Sequence, residues 1–271
     1  MQIGVLISLH HVEEKMKESA GYGFKSCQIV SWDMGAFTEE NAALVKKVAK
    51  ETGMTISTFW CGLPGPATWN FTDGPLTLGL VPESYRFERT KALNRGVEFA
   101  HACGISQIAT HVGFIPEDMN DPRYAGTLVA LKQVVRACKK YNMRFLFETG
   151  QETPVTLLRT LEDLGGENVG INLDTGNLIL YGKANPVDAL DVFGKYVFDT
   201  HCKDGEYPTN GRELGNEKPL GQGAVDWPKL VAKLKALGYE GPLTIEREIS
   251  GPQQTKDILA AKAMLEKLTA N

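Results

Sequence analysis

Residues 144–176, RFLFETGQETPVTLLRTLEDLGGENVGINLDTG, hold the pattern that decides the fold. A short apolar run, RFLFETG, is followed by a loop and an amphipathic stretch, and then by a second apolar run, VGINLDTG. Each run is too short for a buried helix and ends in an acidic residue. Working outward, the same unit recurs. IGVLISL begins at Ile3, SCQIV at Ser26, TISTFWCG at Thr55 and SQIATHVG at Ser106. YVFDTHCKDG begins at Tyr196 and PLTIERE at Pro242, which makes eight runs in all. Continuously apolar strands separated by helical patterns predict a parallel sheet covered by helices. Eight such units predict a closed (β/α)8 TIM barrel rather than an open sheet.

The intervening helices carry their own punctuation. Thr38-Glu39-Glu40 opens one that runs toward Thr52 and stops at Gly53. Leu230, Val231, Leu234 and Leu237 follow helical spacing before Gly238, and a last helix covers about Gln254 to Leu268. No linker, charge block or low-complexity tract interrupts the 271 residues, so one domain over 1–271 is expected. Two connections are unusually long: LPGPATWNFTDGPLTLGLVP after the third run, and Asp204 to Val225 after the seventh. Both follow strands, so both are expected on the barrel's C-terminal face as walls or lids of a pocket.

Composition narrows the functional classes. The net charge of −4 does not favour nonspecific nucleic-acid binding. Five cysteines, odd in number and without a CxxC pair, fit buried free thiols in a reducing cytosol and show no cysteine-based zinc pattern. No apolar run approaches the ~20 residues of a membrane helix. The N-terminus lacks a basic region before its apolar run, so it reads as a first strand rather than a signal peptide.

The chemistry is expected where the last four barrel strands end. Glu148 closes RFLFE, Asp174 closes VGINLD, His201 is near the end of YVFDTH, and Glu246 near the end of PLTIE. Side-chain alternation sets Glu148 with Leu146, Asp174 with Asn172, and Glu246 with Thr244 and Glu248. Their apolar neighbours Phe145, Phe147, Ile171, Leu173, Leu243 and Ile245 face the helices. Three carboxylates converging inside a barrel repel one another and resist ionisation. One divalent cation relieves that, and a set of three carboxylates and one imidazole suits Mn²⁺ best, with Mg²⁺, Co²⁺ or Zn²⁺ as alternatives. Taken singly, each residue has a plainer reading. Asp174 before Thr175-Gly176 fits a helix cap, and His201 fits a core histidine.

Other residues cluster around the same mouth. His111 ends the fourth run and is expected to point into the pocket as a hydrogen-bonding group for a ligand, with a buried structural histidine as the alternative. Lys203 shares the face of His201; it is placed to polarise a carbonyl or offset an enolate, or to pair with Asp204 or Glu248. Trp60 and Trp69 are candidates for packing on a ligand's ring, with core packing as the alternative, and Glu248 for a further contact. Gln151-Glu152 are expected at the same mouth.

The series FETG, NLDTGN, THCKDG, PLGQG and GYEGPLTIERE resembles the sugar phosphate isomerase/epimerase superfamily of xylose isomerase-like TIM barrels. The resemblance spans the chain and is strongest from Gln107 onward. It implies metal ligands at Glu148, Asp174, His201 and Glu246, with Glu148 and Glu246 carrying protons. It also implies a cytoplasmic enzyme of carbohydrate metabolism that isomerises or epimerises a ketose or keto-sugar through an enediolate. The same intermediate could instead feed a lyase or dehydratase acting on a keto-sugar, keto-glycoside or inosose, and a noncatalytic sugar-binding barrel is a further alternative. A small sugar is the expected partner, with no nucleic acid and no membrane, and homo-oligomerisation stays open. Two departures bear on the substrate. Asn177 stands where many members place a histidine, and Lys203, Asp204, Tyr207 and Arg212 replace the arginine that ketose 3-epimerases carry after the histidine. Five histidines, with Asn177 in place of one ligand, argue against the three-metal cluster of an endonuclease IV-like nuclease.

Overall fold

The computed structural model describes residues 1–270. Eight strands close into a barrel. In chain order they are β1 (Ile3–Ser8), β2 (Ser26–Ser31), β3 (Thr55–Cys61), β4 (Gln107–Thr110), β5 (Arg144–Glu148), β6 (Val169–Asp174), β7 (Val197–Cys202) and β10 (Leu243–Ile245). The barrel strands are all parallel, and β1 pairs with both β2 and β10 to shut the ring. The expected TIM barrel is therefore present, wrapped by helices that connect successive strands.

The helices are α1 (Val12–Gly21), α2 (Glu39–Thr52), α3 (Gly74–Thr77), α4 (Glu83–Cys103) and α5 (Pro122–Lys140), then α6 (Pro154–Leu164), α7 (Thr175–Leu180), α8 (Pro186–Phe193), α9 (Trp227–Ala236) and α10 (Pro252–Ala270). Their ends follow local chemistry. Thr38 accepts from Asn41 N to start α2, and Gly53 closes it at φ 68°. Among the described residues no helix is long and apolar enough to cross a membrane.

The inferred side-chain parity holds. Phe145, Phe147, Ile171, Leu173, Leu243 and Ile245 belong to the large core between barrel and helices. Leu146 instead meets Trp60 and Ala109 in a small cluster of its own. Beneath the mouth the barrel interior is unexpectedly polar. Thr58 donates to Asp199 Oδ2 at 2.6 Å, and Thr200 N donates to Asp199 Oδ1 at 2.8 Å. Burial pushes the Asp199 carboxyl up, although these bonds oppose the shift. All five cysteines are free and buried.

The two long connections are partly ordered rather than simple loops. The first contains α3. The second folds into a small antiparallel ribbon, β8 (Asp204–Gly205) against β9 (Glu217–Lys218). Asp204 organises it by accepting from Gly221 N, Val225 N and Trp227 Nε1 at 2.8–3.1 Å. The loops also meet, since Phe71 N donates to Arg212 O at 3.1 Å. A backbone bond between two loops that leave different strands stiffens the rim above the barrel mouth.

Candidate metal centre and sugar pocket

Register brings the expected ligands together. Asp174 lies opposite His201 in the β6–β7 pair, and His201 opposite Thr244 in the β7–β10 pair, two residues short of Glu246. Glu148, Asp174, His201 and Glu246 each present one ligand atom, all within 4.8 Å of one another. His201 Nδ1 is 3.2 Å from Glu148 Oε1, 3.3 Å from Glu246 Oε2 and 4.0 Å from Asp174 Oδ2.

Asp174 answers the question its sequence left open, because it does two jobs. Oδ1 accepts from Asn177 N at 2.8 Å and caps α7. Oδ2 is buried and accepts no hydrogen bond, its nearest cation being the Lys203 ammonium at 3.6 Å. Leaving such an oxygen unpaired costs about 1–3 kcal/mol, more if it is charged. A divalent cation with oxygen ligands would satisfy that oxygen, and the donor set could hold one.

The electrostatics are those of a crowded anion pocket. Burial, together with Glu246 and Glu148, pushes Asp174 well above the usual carboxylate range. Burial also works against Glu148, but His201 and His111 outweigh it and hold it well down. Glu246 is likewise held down, to about 2, because Lys203 and His201 overcome its burial. Lys203 is buried, with its ammonium 3.3 Å from Glu246, 3.6 Å from Asp174 and 2.9 Å from Glu248. Its partner is thus Glu248 and not Asp204, which turns into the β8–β9 ribbon. Lys203 can sit there because Gly176 leaves room: a Cβ at Gly176 would overlap the Lys203 side chain.

The remaining expected residues surround a cavity of about 380 Å³ that reaches Glu148 and Glu246. Trp60, Trp69, His111, Asn177 and Glu248 all line it. Trp60 Nε1 donates to Glu148 Oε2. This makes Trp60 both a buried packing residue and a wall of the site. His111 Nε2 lies 3.3 Å from Glu148 Oε1, while its Nδ1 is buried without a partner. Trp69, from the first long loop, packs at 5.2 Å from the His111 ring. Gln151 and Glu152 depart from expectation. They are buried rather than set on the cavity wall, and both Gln151 amide atoms and Glu152 Oε1 are unpartnered. Burial raises Glu152 to about 7.

Two further residues escaped the sequence reading. Gln28, a polar residue inside the apolar SCQIV run, accepts from His201 Nε2 at 2.9 Å. Gln28 Nε2 donates to Asn172 Oδ1, and Asn172 Nδ2 donates to Glu148 Oε2. This chain sets the Gln28 carbonyl against His201 Nε2. Burial opposes the charged imidazole, but Glu148 and Glu246 outweigh it and push its pKa well up. A bound metal would instead take Nδ1 and leave the proton on Nε2. Replacing Gln28 with Leu is expected to weaken Mn²⁺ binding about 10–100-fold in calorimetry; unchanged affinity would refute this positioning role. The second residue is Trp32, which directly follows β2 and lines the same cavity. Its place at a strand end was the available signal.

Comparison with known proteins agrees with this architecture. Residues 16–268 match the family model described as xylose isomerase-like TIM barrel. An uncharacterized protein of Methanocaldococcus jannaschii is 25% identical over 191 residues, covering 65% of this chain and 63% of that protein. The match thus spans just under two thirds of that relative's length. The solved structure of a xylose isomerase domain protein from Planctomyces limnophilus has a TM-score of 0.93 at 30% identity, covering 98% of this chain and 96% of its own. A D-tagatose 3-epimerase-like protein shares the fold at a TM-score of 0.77 and 20% identity, covering 100% of this chain and 97% of its own. With a closed eight-stranded parallel barrel and a family match over nearly its whole length, the chain belongs to the xylose isomerase-like TIM-barrel family.

Proposed function

We propose that this protein is a divalent-metal-dependent isomerase or epimerase of a nonphosphorylated ketose or keto-sugar. The observation that carries the reading is the convergence of Glu148, Asp174, His201 and Glu246 at the foot of a sugar-sized cavity, with Asp174 Oδ2 buried and without a hydrogen bond. Mn²⁺ suits this donor set best, with Mg²⁺, Co²⁺ or Zn²⁺ as alternatives. A bound ion would supply Lewis acidity, polarising a carbonyl and acidifying the neighbouring C–H.

The chain's own groups complete the chemistry. Glu148 and Glu246 reach the cavity from β5 and from the end of β10, with β6 and β7 between them. They therefore flank a bound sugar and are placed to move protons on different sides of it. The Glu246 side chain is 12% exposed toward the cavity, against 2% for Glu148, so it has the freer access to a substrate carbon. The Lys203 ammonium offsets negative charge that develops on the substrate as an enediolate. His111, Asn177 and Trp60 orient its hydroxyls and ring. Among the described residues no arginine or lysine lines the cavity, and the nearby Lys203 ammonium is already paired with Glu246 and Glu248, which favours a nonphosphorylated substrate. The name of the D-tagatose 3-epimerase-like neighbour supports the same substrate class.

Turnover of keto-sugars in D₂O with Mn²⁺ tests this. Deuterium is expected at the carbon next to the carbonyl in the recovered sugar, read by NMR. Complete retention of the substrate hydrogen there would mean hydride transfer and would overturn the proposal. A product missing a leaving group would place the same proton abstraction in a lyase.

A further inference from the structure

The wall of the cavity above Glu148 is a stepped row of indoles. Trp60 is 5% exposed and bonded to Glu148, so its ring stands beside the carboxylates. Trp32 lies one ring further out, 5.2 Å from Trp60 between centroids, and is 47% exposed. Trp69 stands edge-on to Trp32 at 6.2 Å and 90°, and is 40% exposed. Single exposed apolar residues need no explanation. Two half-exposed indoles meeting on the wall of one cavity add aromatic surface beyond Trp60, the ring bonded to Glu148.

That surface is built rather than loose. The Trp32 indole packs against Gly62, where any Cβ would overlap its ring. Trp69 is held by the turn in which Asn70 Oδ1 accepts from Thr72 N and Asp73 N at 3.0 and 2.7 Å, and by the Phe71–Arg212 backbone bond. A preformed aromatic face loses little conformational freedom when a ligand stacks on it. Around it, Leu214 is apolar and Glu248 is acidic, so the lip favours a neutral occupant over an anionic one.

We infer that Trp32 and Trp69 form an outer subsite that stacks a second, uncharged ring, making the substrate a keto-glycoside or keto-disaccharide whose inner ring carries the carbonyl. The inference rests on the sugar-site reading above, and it names the substrate class of that site. The step from Trp60 to Trp32 matches the passage from one ring to the next, and edge and face contacts at these distances are favourable for aromatic groups.

Calorimetry on the Mn²⁺-loaded protein with phenyl and methyl β-D-glucosides tests it. The phenyl glucoside is expected to bind about tenfold more tightly, the size of one good aromatic contact. Trp32→Ala is expected to erase that preference, and Trp32→Tyr to keep most of it. Equal affinity for both probes in the unaltered protein would overturn the outer subsite. So would no heat from either, or a Trp32→Ala loss shared equally by both. Deuterium wash-in with an unsubstituted keto-sugar reports separately on the inner site, so failure of the outer subsite is distinguishable from failure of the sugar reading itself.

Discussion

Glu246→Gln is expected to lower turnover by about 10²–10⁴-fold, the range that general acid–base groups contribute. The exchange keeps the side chain's shape and one carbonyl oxygen but removes its basicity. Because Asp174, His201 and Glu148 remain, Mn²⁺ binding should fall only in part. Glu148→Gln is expected to cost as much turnover and more metal, for a reason visible in the structure. Glu148 Oε2 accepts from both Trp60 Nε1 and Asn172 Nδ2, and Oε1 lies near both His201 and His111. An amide in that place brings a donor where only acceptors fit, which disturbs the whole network. Steady-state kinetics with metal titration by calorimetry separates the two effects. Full turnover in either variant would remove that residue from proton transfer.

Lys203→Met is expected to have the largest effect on stability. The lysine is buried, with its ammonium 3.6 Å from Asp174 and 3.3 Å from Glu246. Removing one partner from a buried charge cluster costs about 3–5 kcal/mol. In a chain of this size that lowers Tm by roughly 10 °C. Its pairing with Glu248 adds little, since that side chain is 59% exposed. The sign with pH is clear. Burial alone would lower the Lys203 pKa, but Glu246, Asp174 and Glu248 raise it well above its ordinary 10.5. The stabilisation is therefore complete below 10.5 and is lost only as pH rises through the higher folded-state value. Divalent metal should rescue the variant more than the unaltered protein, because the ion supplies the missing positive charge and binds the folded state alone. Thermal melts in EDTA and in Mn²⁺ check both points. Equal melting temperatures in EDTA would show that Lys203 does not balance the carboxylates.

Much of this architecture was legible in the chain because it depends on local periodicity. Continuously apolar runs such as VGINLD and amphipathic stretches such as the one after Thr38 specify strand and helix wherever they sit. Alternation along RFLFE, VGINLD and PLTIE then assigns Glu148, Asp174 and Glu246 to the barrel interior without any knowledge of their neighbours. The family resemblance implied the same ligand set that the strand ends had already marked out. What the chain alone could not show are relations between residues far apart in sequence. The contact from His201 to Gln28 spans 173 residues, and the one from Trp60 to Glu148 spans 88. Nothing local to SCQIV marks Gln28 as the partner of a histidine. That pairing exists because barrel closure sets β2 across the interior from β7. The same holds for Lys203, whose choice of Glu248 over the adjacent Asp204 follows from how β10 ends beside β7 and how the β8–β9 ribbon captures the aspartate. Sequence by itself determined which side chains face inward, because the strand repeat is a property of a few consecutive residues. Only the tertiary structure decided which of them meet, because register and closure are properties of the whole ring.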